Sequence, residues 1–233
     1  MKKPFAMLLI LCTGACISAC GAQNTQTGTV SSASETVPAS SQTTDTSKES
    51  SVPSAGKSHI LVAYFSQAGE QYNVGVVEKG NTQIVAEMIA GETGADLFHI
   101  ERKEAYPTVY SDLLSAAQDE LKSNARPELS ASVDKWDDYD TVFIGYPIWW
   151  GDMPMPVYTF LESYDFSGKT VVPFDTNGGS GLADTVNTIA KVCPNALVKD
   201  GLAVTGADAQ KKQDQVKGDV QDFLKGLGYE YGK

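Results

Sequence analysis

Residues 58–233 predict an α/β domain, a doubly wound parallel sheet covered by helices on both faces, and three observations carry the prediction. Apolar runs of five to seven residues alternate with segments of helical periodicity. The best of these runs are continuous rather than alternating, as strands buried on both faces must be. The loops that follow them are the richest in Gly, Pro and aromatic residues, and in such sheets ligands gather at the carboxyl ends of the strands.

Each element can be justified in turn. His59 to Phe65 (HILVAYF) is the first strand. Ile84, Val85, Met88 and Ile89 then fall on one helical face, and Gly91 or Gly94 ends that helix. Asp96 to Ile100 is a short second strand, and Leu113, Leu114, Ala117 and Leu121 give residues 111–124 helical spacing. Thr141 to Tyr146 (TVFIGY) is the clearest strand and breaks at Pro147; Pro154 and Pro156 mark the start of the next helix. Thr170 to Phe174 is the fourth strand, although Pro173 argues against a central position. Leu182, Val186 and Ile189 form a helix face, Ala196–Val198 and Leu202–Val204 are weak strands, and Val216, Val220, Phe223, Leu224 and Leu227 line a final amphipathic helix.

The chain ahead of this domain has a different character. Lys2 and Lys3 precede the apolar run AMLLILCTGACISAC, too short to span a bilayer and expected to act as an export signal. Its end, Ile17-Ser18-Ala19-Cys20, resembles a bacterial lipobox, with Cys20 as the lipidated residue and Cys16 the weaker alternative. Residues 21–57 are Ser, Thr, Gln and Ala with almost no large apolar residue, the composition of a disordered tether. The expectation is an extracytoplasmic protein held to the cell membrane by its lipid. Loss of residues 1–20 leaves 16 basic against 29 acidic side chains, a net charge of −13, which excludes nucleic acid as a partner and favours a redox partner with a basic surface. Cys193 would then be the only thiol, expected as a buried apolar residue rather than a reactive one.

Three loops carry the candidate chemistry. After the first strand, Ser66, Gln67 and Ala68 offer a hydroxyl and backbone N–H groups, and Asn81 and Thr82 open a helix. A nest of amides with a helix N-terminus binds a phosphate without a cation, though Asn81 or Thr82 would equally serve as a simple helix cap. Gly75 to Thr82 (GVVEKGNT) has the spacing of a nucleotide-binding P-loop, but Asn81 stands where the lysine is needed. After the third strand, Pro147, Ile148, Trp149 and Trp150 could flank a planar ring, or the indoles could be core or lid aromatics. After the fourth, Thr176, Asn177, Gly178 and Gly179 allow close backbone approach to a ligand, or form a plain turn capped by Ser180. With only His59 and His99 in the chain, both inside strands, neither a histidine triad nor a metal site is expected, and no side chain is singled out as catalytic.

The ordered set YFSQAG, GNTQIVAEMI, GADLFHIE, TVFIGYPIWWGDMPMPVYTFLE and PFDTNGGSG resembles the flavodoxin-like family over nearly all of residues 58–228. The resemblance implies a five-stranded sheet of order 2-1-3-4-5 and FMN as cofactor. It places the phosphate at Ser66, Gln67, Ala68, Asn81 and Thr82, the ring against Pro147, Ile148, Trp149 and Trp150, and the ring's polar edge at Thr176, Asn177, Gly178 and Gly179. Two departures stand out: Ala68 lacks a hydroxyl, and residues 70–79 are inserted, expected to bulge outward at the pocket rim. The function implied is electron transfer or flavin-dependent reduction, with an NAD(P)H/quinone-type oxidoreductase as the enzymatic form. The alternative is a non-enzymatic surface interaction module on a fold that has lost its cofactor.

Overall fold

The structure, a computed structural model, describes residues 59–229. The expected export signal, Cys20 and the tether lie outside the described residues.

In chain order the elements are β1 (Ile60–Tyr64), β2 (Gly69–Gln71), β3 (Gly75–Val77), α1 (Asn81–Thr93), β4 (Asp96–His99), α2 (Tyr110–Ser123), a 3-10 turn (Trp136–Asp138), β5 (Thr141–Pro147), α3 (Met155–Ser163), β6 (Thr170–Asn177), α4 (Thr185–Val192), β7 (Leu197–Val198), β8 (Leu202–Thr205), α5 (Gly206–Lys211) and α6 (Gln213–Gly226). The main sheet is parallel throughout and runs β4-β1-β5-β6, with β7 and β8 both pairing the outer edge of β6. With the β2–β3 hairpin set aside, this is the expected order 2-1-3-4-5, the fifth strand being split in two.

Alternation along the buried strands divides the core. Leu61, Ala63, Val142, Ile144, Tyr146 and Val171 pack with Leu113, Val157, Phe160, Leu161 and Ile189 of α2, α3 and α4. Val62, Tyr64, Phe143, Val172 and Phe174 pack with Val85, Ile89, Val216, Val220 and Leu224 of α1 and α6. Each central strand therefore buries both of its faces, which is why its sequence reads as an unbroken apolar run.

Pro173 sits in an inner strand, as the order 2-1-3-4-5 requires, and the split edge removes the objection it raised. β7 pairs Thr170 and Val171, β8 pairs Phe174 to Asn177, and Pro173 falls in the gap between them. The missing N–H therefore costs no ladder bond with either edge strand. α5 was not expected; it follows β8 directly, with the Thr205 hydroxyl accepting from the Asp208 N–H to cap it.

Residues 70–79 also differ from expectation. They form most of an antiparallel hairpin, β2 on β3, tied back to the loop after β1 by Gln71 Nε2, which donates to the Gln67 carbonyl. Gly69 (φ +93°), Asn73 (φ +58°) and Gly75 (φ +98°) supply the left-handed backbone that reverses the chain. The same hairpin removes the P-loop reading, because Gly75 to Val77 is strand and not a phosphate-wrapping loop.

Candidate functional site

The carboxyl ends of β1, β5 and β6 point to one edge of the sheet, and there the chain leaves a cavity of about 360 Å³. Pro147, Ile148, Trp149 and Trp150 line it from the loop after β5, and Thr176, Asn177 and Gly178 from the end of β6. Asn81 reaches it from the start of α1. Ser66, Gln67, Ala68, Thr82 and Gly179 lie off its wall. Ser66, Gln67, Ala68 and Thr82 lie where the first strand's exit meets the helix start, and Gly179 in the turn after β6.

That meeting is close. Gln83 N–H donates to Ser66 Oγ at 3.1 Å, so the first loop caps α1 from outside the helix. Gly80 is the N-cap residue, and neither Asn81 nor Thr82 caps the helix with its side chain. A Cβ on Gly80 would collide with Ser66 Oγ and stand 2.6 Å from the Gln67 carbonyl oxygen. The two halves of the split loop thus touch. The first turn of α1 contains no acidic residue to oppose an anion. Thr82 is buried and shares a 2.7 Å hydrogen bond with the Thr176 hydroxyl, tying this turn to the end of β6. What Thr82 can offer an anion is its backbone N–H.

The paired tryptophans separate into two roles. Trp149 is half-buried and meets Phe65 and Tyr106 edge to face, both at 5.3 Å. Tyr106 is itself fixed: its hydroxyl donates to the Glu120 carboxylate at 2.5 Å, and Arg102 stacks on its ring while pairing with Glu120 at 2.7 Å. Burial, reinforced by the Glu120 hydrogen bond, pushes the Tyr106 phenol well above its ordinary range. Trp149 is therefore a fixed wall continuous with the core. Trp150 is instead 52% exposed at the rim, its indole N–H donating to the Leu114 carbonyl at 3.3 Å.

The backbone under Trp150 shows what holds it there. Trp149 and Asp152 exchange backbone hydrogen bonds of 2.9 and 3.0 Å, and the two residues between them, Trp150 (φ +54°) and Gly151 (φ +83°), are both left-handed. This is the positive-φ pair of a tight hairpin turn. For a bulky residue that conformation costs roughly 1–2 kcal/mol. Asp152 stabilises the turn, accepting from the Met153 N–H at 2.7 Å and the Tyr158 hydroxyl at 2.9 Å.

On the polar side, Asn177 orders the glycine-rich turn. Its Oδ1 accepts from Gly179 N–H at 2.7 Å, and its Nδ2 donates to Asp175 Oδ1 at 2.7 Å and the Val204 carbonyl at 3.3 Å. Asp175 is fully buried and its second oxygen has no partner. Burial pushes its pKa up to about 6, while the Asn177 hydrogen bond pulls the other way. Ser180 does not cap a helix: its hydroxyl lies against Gly181 O, and α4 starts only at Thr185.

Two walls of the cavity escaped the sequence reading. Tyr110, Leu113, Leu114 and Ala117 of α2 form one, and Glu70, Gln71 and Tyr72 of the hairpin form the other. The apolar stripe of α2 was visible, but periodicity does not say that part of a stripe faces a ligand cavity. Gly206 also lines it, at the end of β8, where the carboxyl-end rule could have found it.

His99, in β4, behaves as expected of a strand residue, its Nε2 3.2 Å from the Ser66 carbonyl and its ring stacked on Tyr64, whereas His59 lies exposed just ahead of β1, its Nδ1 contacting the Asp138 carbonyl. Cys193 is buried, and burial raises its thiol pKa to about 11.

The flavodoxin family model matches residues 59–221. The chain belongs to the flavodoxin family. Among solved structures, this flavodoxin-family chain is similar to a protein from Bacteroides eggerthii provisionally described as a flavoprotein, with 29% identity, a TM-score of 0.59, and coverage of 73% of this chain and 98% of that one. A counterpart from Bacteroides uniformis, described in the same terms, has 29% identity, a TM-score of 0.58, and coverage of 71% and 99%. A flavoprotein from Lactobacillus acidophilus in complex with FMN shares the fold at 22% identity and TM-score 0.51, covering 68% of this chain and 99% of that one. No sequence among the curated proteins matches the chain.

Proposed function

We propose that this flavodoxin-family chain binds FMN non-covalently and transfers electrons through it, at the extracytoplasmic face of the membrane to which Cys20 would tether it. The observation that carries the reading is one cavity lined by the loops after β5 and β6 and reached by Asn81 at the start of α1, where the Ser66–Ala68 turn closes against the same helix end. The solved Lactobacillus acidophilus flavoprotein, which holds FMN on the same fold, supports the choice of ligand.

The residues fit FMN in their chemistry. The Ser66–Ala68 turn and the first amides of α1 form a neutral cradle for a phosphate monoester, and the glycine at position 80 lets Ser66 and Gln67 close against the helix start. Trp149 and Trp150 give an aromatic wall for the ring, and the Asn177–Gly178 backbone gives hydrogen-bonding groups for its polar edge. When bound, FMN supplies the redox chemistry; the protein binds, orients and shields it.

The lining also bears on what exchanges electrons with that site. Glu70 is the only charged residue on the cavity wall among the described residues. A pyridine nucleotide brings phosphates that need cations, and this rim offers a carboxylate instead. A carrier fed by a protein partner, or a reductase of neutral aromatic acceptors, fits the rim better than a nicotinamide-dependent enzyme. The surplus of acidic residues favours a partner with a basic surface.

Absorbance of the isolated protein and titration with FMN test the reading. A flavin spectrum, or saturable quenching of added FMN, is expected; protein that arrives colourless and ignores FMN refutes it and leaves an interaction module on the same fold. Rapid mixing of the FMN-loaded protein with NADPH should leave the flavin oxidised, and prompt bleaching would overturn the carrier assignment.

A further inference from the structure

The inserted hairpin supplies one wall of the cavity through Glu70, Gln71 and Tyr72. Its position is set by contacts on several sides. Gln71 Nε2 donates to the Gln67 carbonyl at 3.0 Å, and Asn81 Nδ2 reaches Gln71 Oε1 at 3.5 Å. Asn81 Oδ1 in turn accepts from Gln210 Nε2 at 2.9 Å, and the same Gln210 amide donates to the Lys79 carbonyl at 2.8 Å. Gly206 lets this cluster close: a Cβ there would stand 2.5 Å from Asn81 Nδ2 and 3.6 Å from Val74 Cγ2. The hairpin is thereby tied to the phosphate-cradle loop, to α1 and to α5.

The tip of that hairpin is Tyr72. It remains 65% exposed. Its ring lines the cavity and rests over Gly178, where any side chain would be excluded because a Cβ would stand 2.8 Å from Tyr72 Cδ1. Trp149 and Trp150 lie on the wall contributed by β5, and Tyr72 enters from the hairpin wall. An aromatic ring on a braced hairpin, facing a slot with aromatic residues on its other wall, suits a flat ligand held between them.

We propose that Tyr72 covers the outer face of the flavin ring, so that the Glu70–Tyr72 side of the hairpin is a built part of the FMN site rather than a surface insertion. This inference rests on the FMN reading above. Offset stacking by one aromatic ring, together with the apolar surface it removes from water, corresponds to about a ten-fold gain in affinity. Because the exposed Tyr72 contributes little to the core, replacing it leaves the fold intact.

FMN titration, followed by flavin fluorescence, with wild type, Tyr72→Phe, Tyr72→Leu, Tyr72→Ala and Val76→Ala tests it. Val76 lies on the same hairpin but is 83% exposed and off the cavity wall. Tyr72→Phe and Val76→Ala should bind FMN as wild type does and quench it as fully. Tyr72→Leu and Tyr72→Ala should bind about ten-fold more weakly and leave the bound flavin brighter, since a stacked aromatic ring quenches it. If Tyr72→Ala binds and quenches like wild type, the inference falls and FMN binding stands. If Val76→Ala weakens binding as much as Tyr72→Ala, the effect belongs to the hairpin's fold and the assignment to the Tyr72 ring is wrong. If wild type itself refuses FMN, the proposed function fails and this inference with it.

Discussion

Asp175 offers the sharpest test of the energetics beneath the site. Its carboxyl is fully buried with one oxygen unpartnered, and burial pushes its pKa from 3.8 up to about 6. The sign follows from which state holds the proton. Well below pH 3.8 the carboxyl is neutral folded or unfolded and costs nothing. As pH rises toward 6 the unfolded chain ionises first, so stability falls; above about 6 the folded state is ionised too and the penalty levels off. A shift of this size corresponds to roughly 3 kcal/mol, of which about 2 kcal/mol is lost between about pH 4.5 and pH 7.5. Asp175→Asn keeps the shape and an acceptor for Asn177 while removing the charge. Urea unfolding of both proteins, flavin-free, at the two pH values should show the variant gaining about 2 kcal/mol on wild type at the higher pH. Other groups cancel in that difference. A gap independent of pH, or one that narrows as pH rises, refutes the assignment of an ionised, unpaired carboxylate at this position.

Two further substitutions separate stability from binding. Gly80→Ala puts a methyl group against Ser66 Oγ and the Gln67 carbonyl, so it should weaken FMN binding at least about ten-fold and lower stability by about 1–3 kcal/mol, read by titration and urea melts. Trp150→Gly relieves a left-handed backbone while removing a rim indole; FMN affinity should fall while stability stays level or rises by about 1 kcal/mol, and a variant that loses both would show the indole is structural.

The sheet was legible because its strands bury both faces, and that condition writes itself into the sequence as continuous apolar runs. Ile60 to Tyr64 and Thr141 to Tyr146 could hardly be anything else between their helical neighbours. Pro173 was the one objection to an inner fourth strand, and it fails for a physical reason: whether a proline breaks a ladder depends on what its missing N–H would have faced, and here the edge changes from β7 to β8 at that point. No local pattern reports where a neighbouring strand ends. α5 was missed for a related reason, because six residues between a strand and a longer helix leave too little periodicity to read.

The site was half legible, and the division follows sequence distance. Loops that exit a buried strand can be placed from the strand alone, so Pro147–Trp150 and Thr176–Gly178 were found where they now line the cavity. The walls supplied by other elements could not be, since Tyr72 meets Gly178 across more than a hundred residues and nothing near either one announces the partner. Gly178 carries the nearest thing to a signal, for a glycine with a negative φ inside a ligand loop has space rather than backbone freedom as its reason. That space is filled by Tyr72. The same logic holds at Gly80 and Gly206, whose missing side chains admit Ser66 and Asn81. Three glycines thus mark where the first loop, the hairpin and the strand ends close on one another, and the insertion that interrupted the phosphate loop in sequence becomes, in space, the piece that completes the pocket.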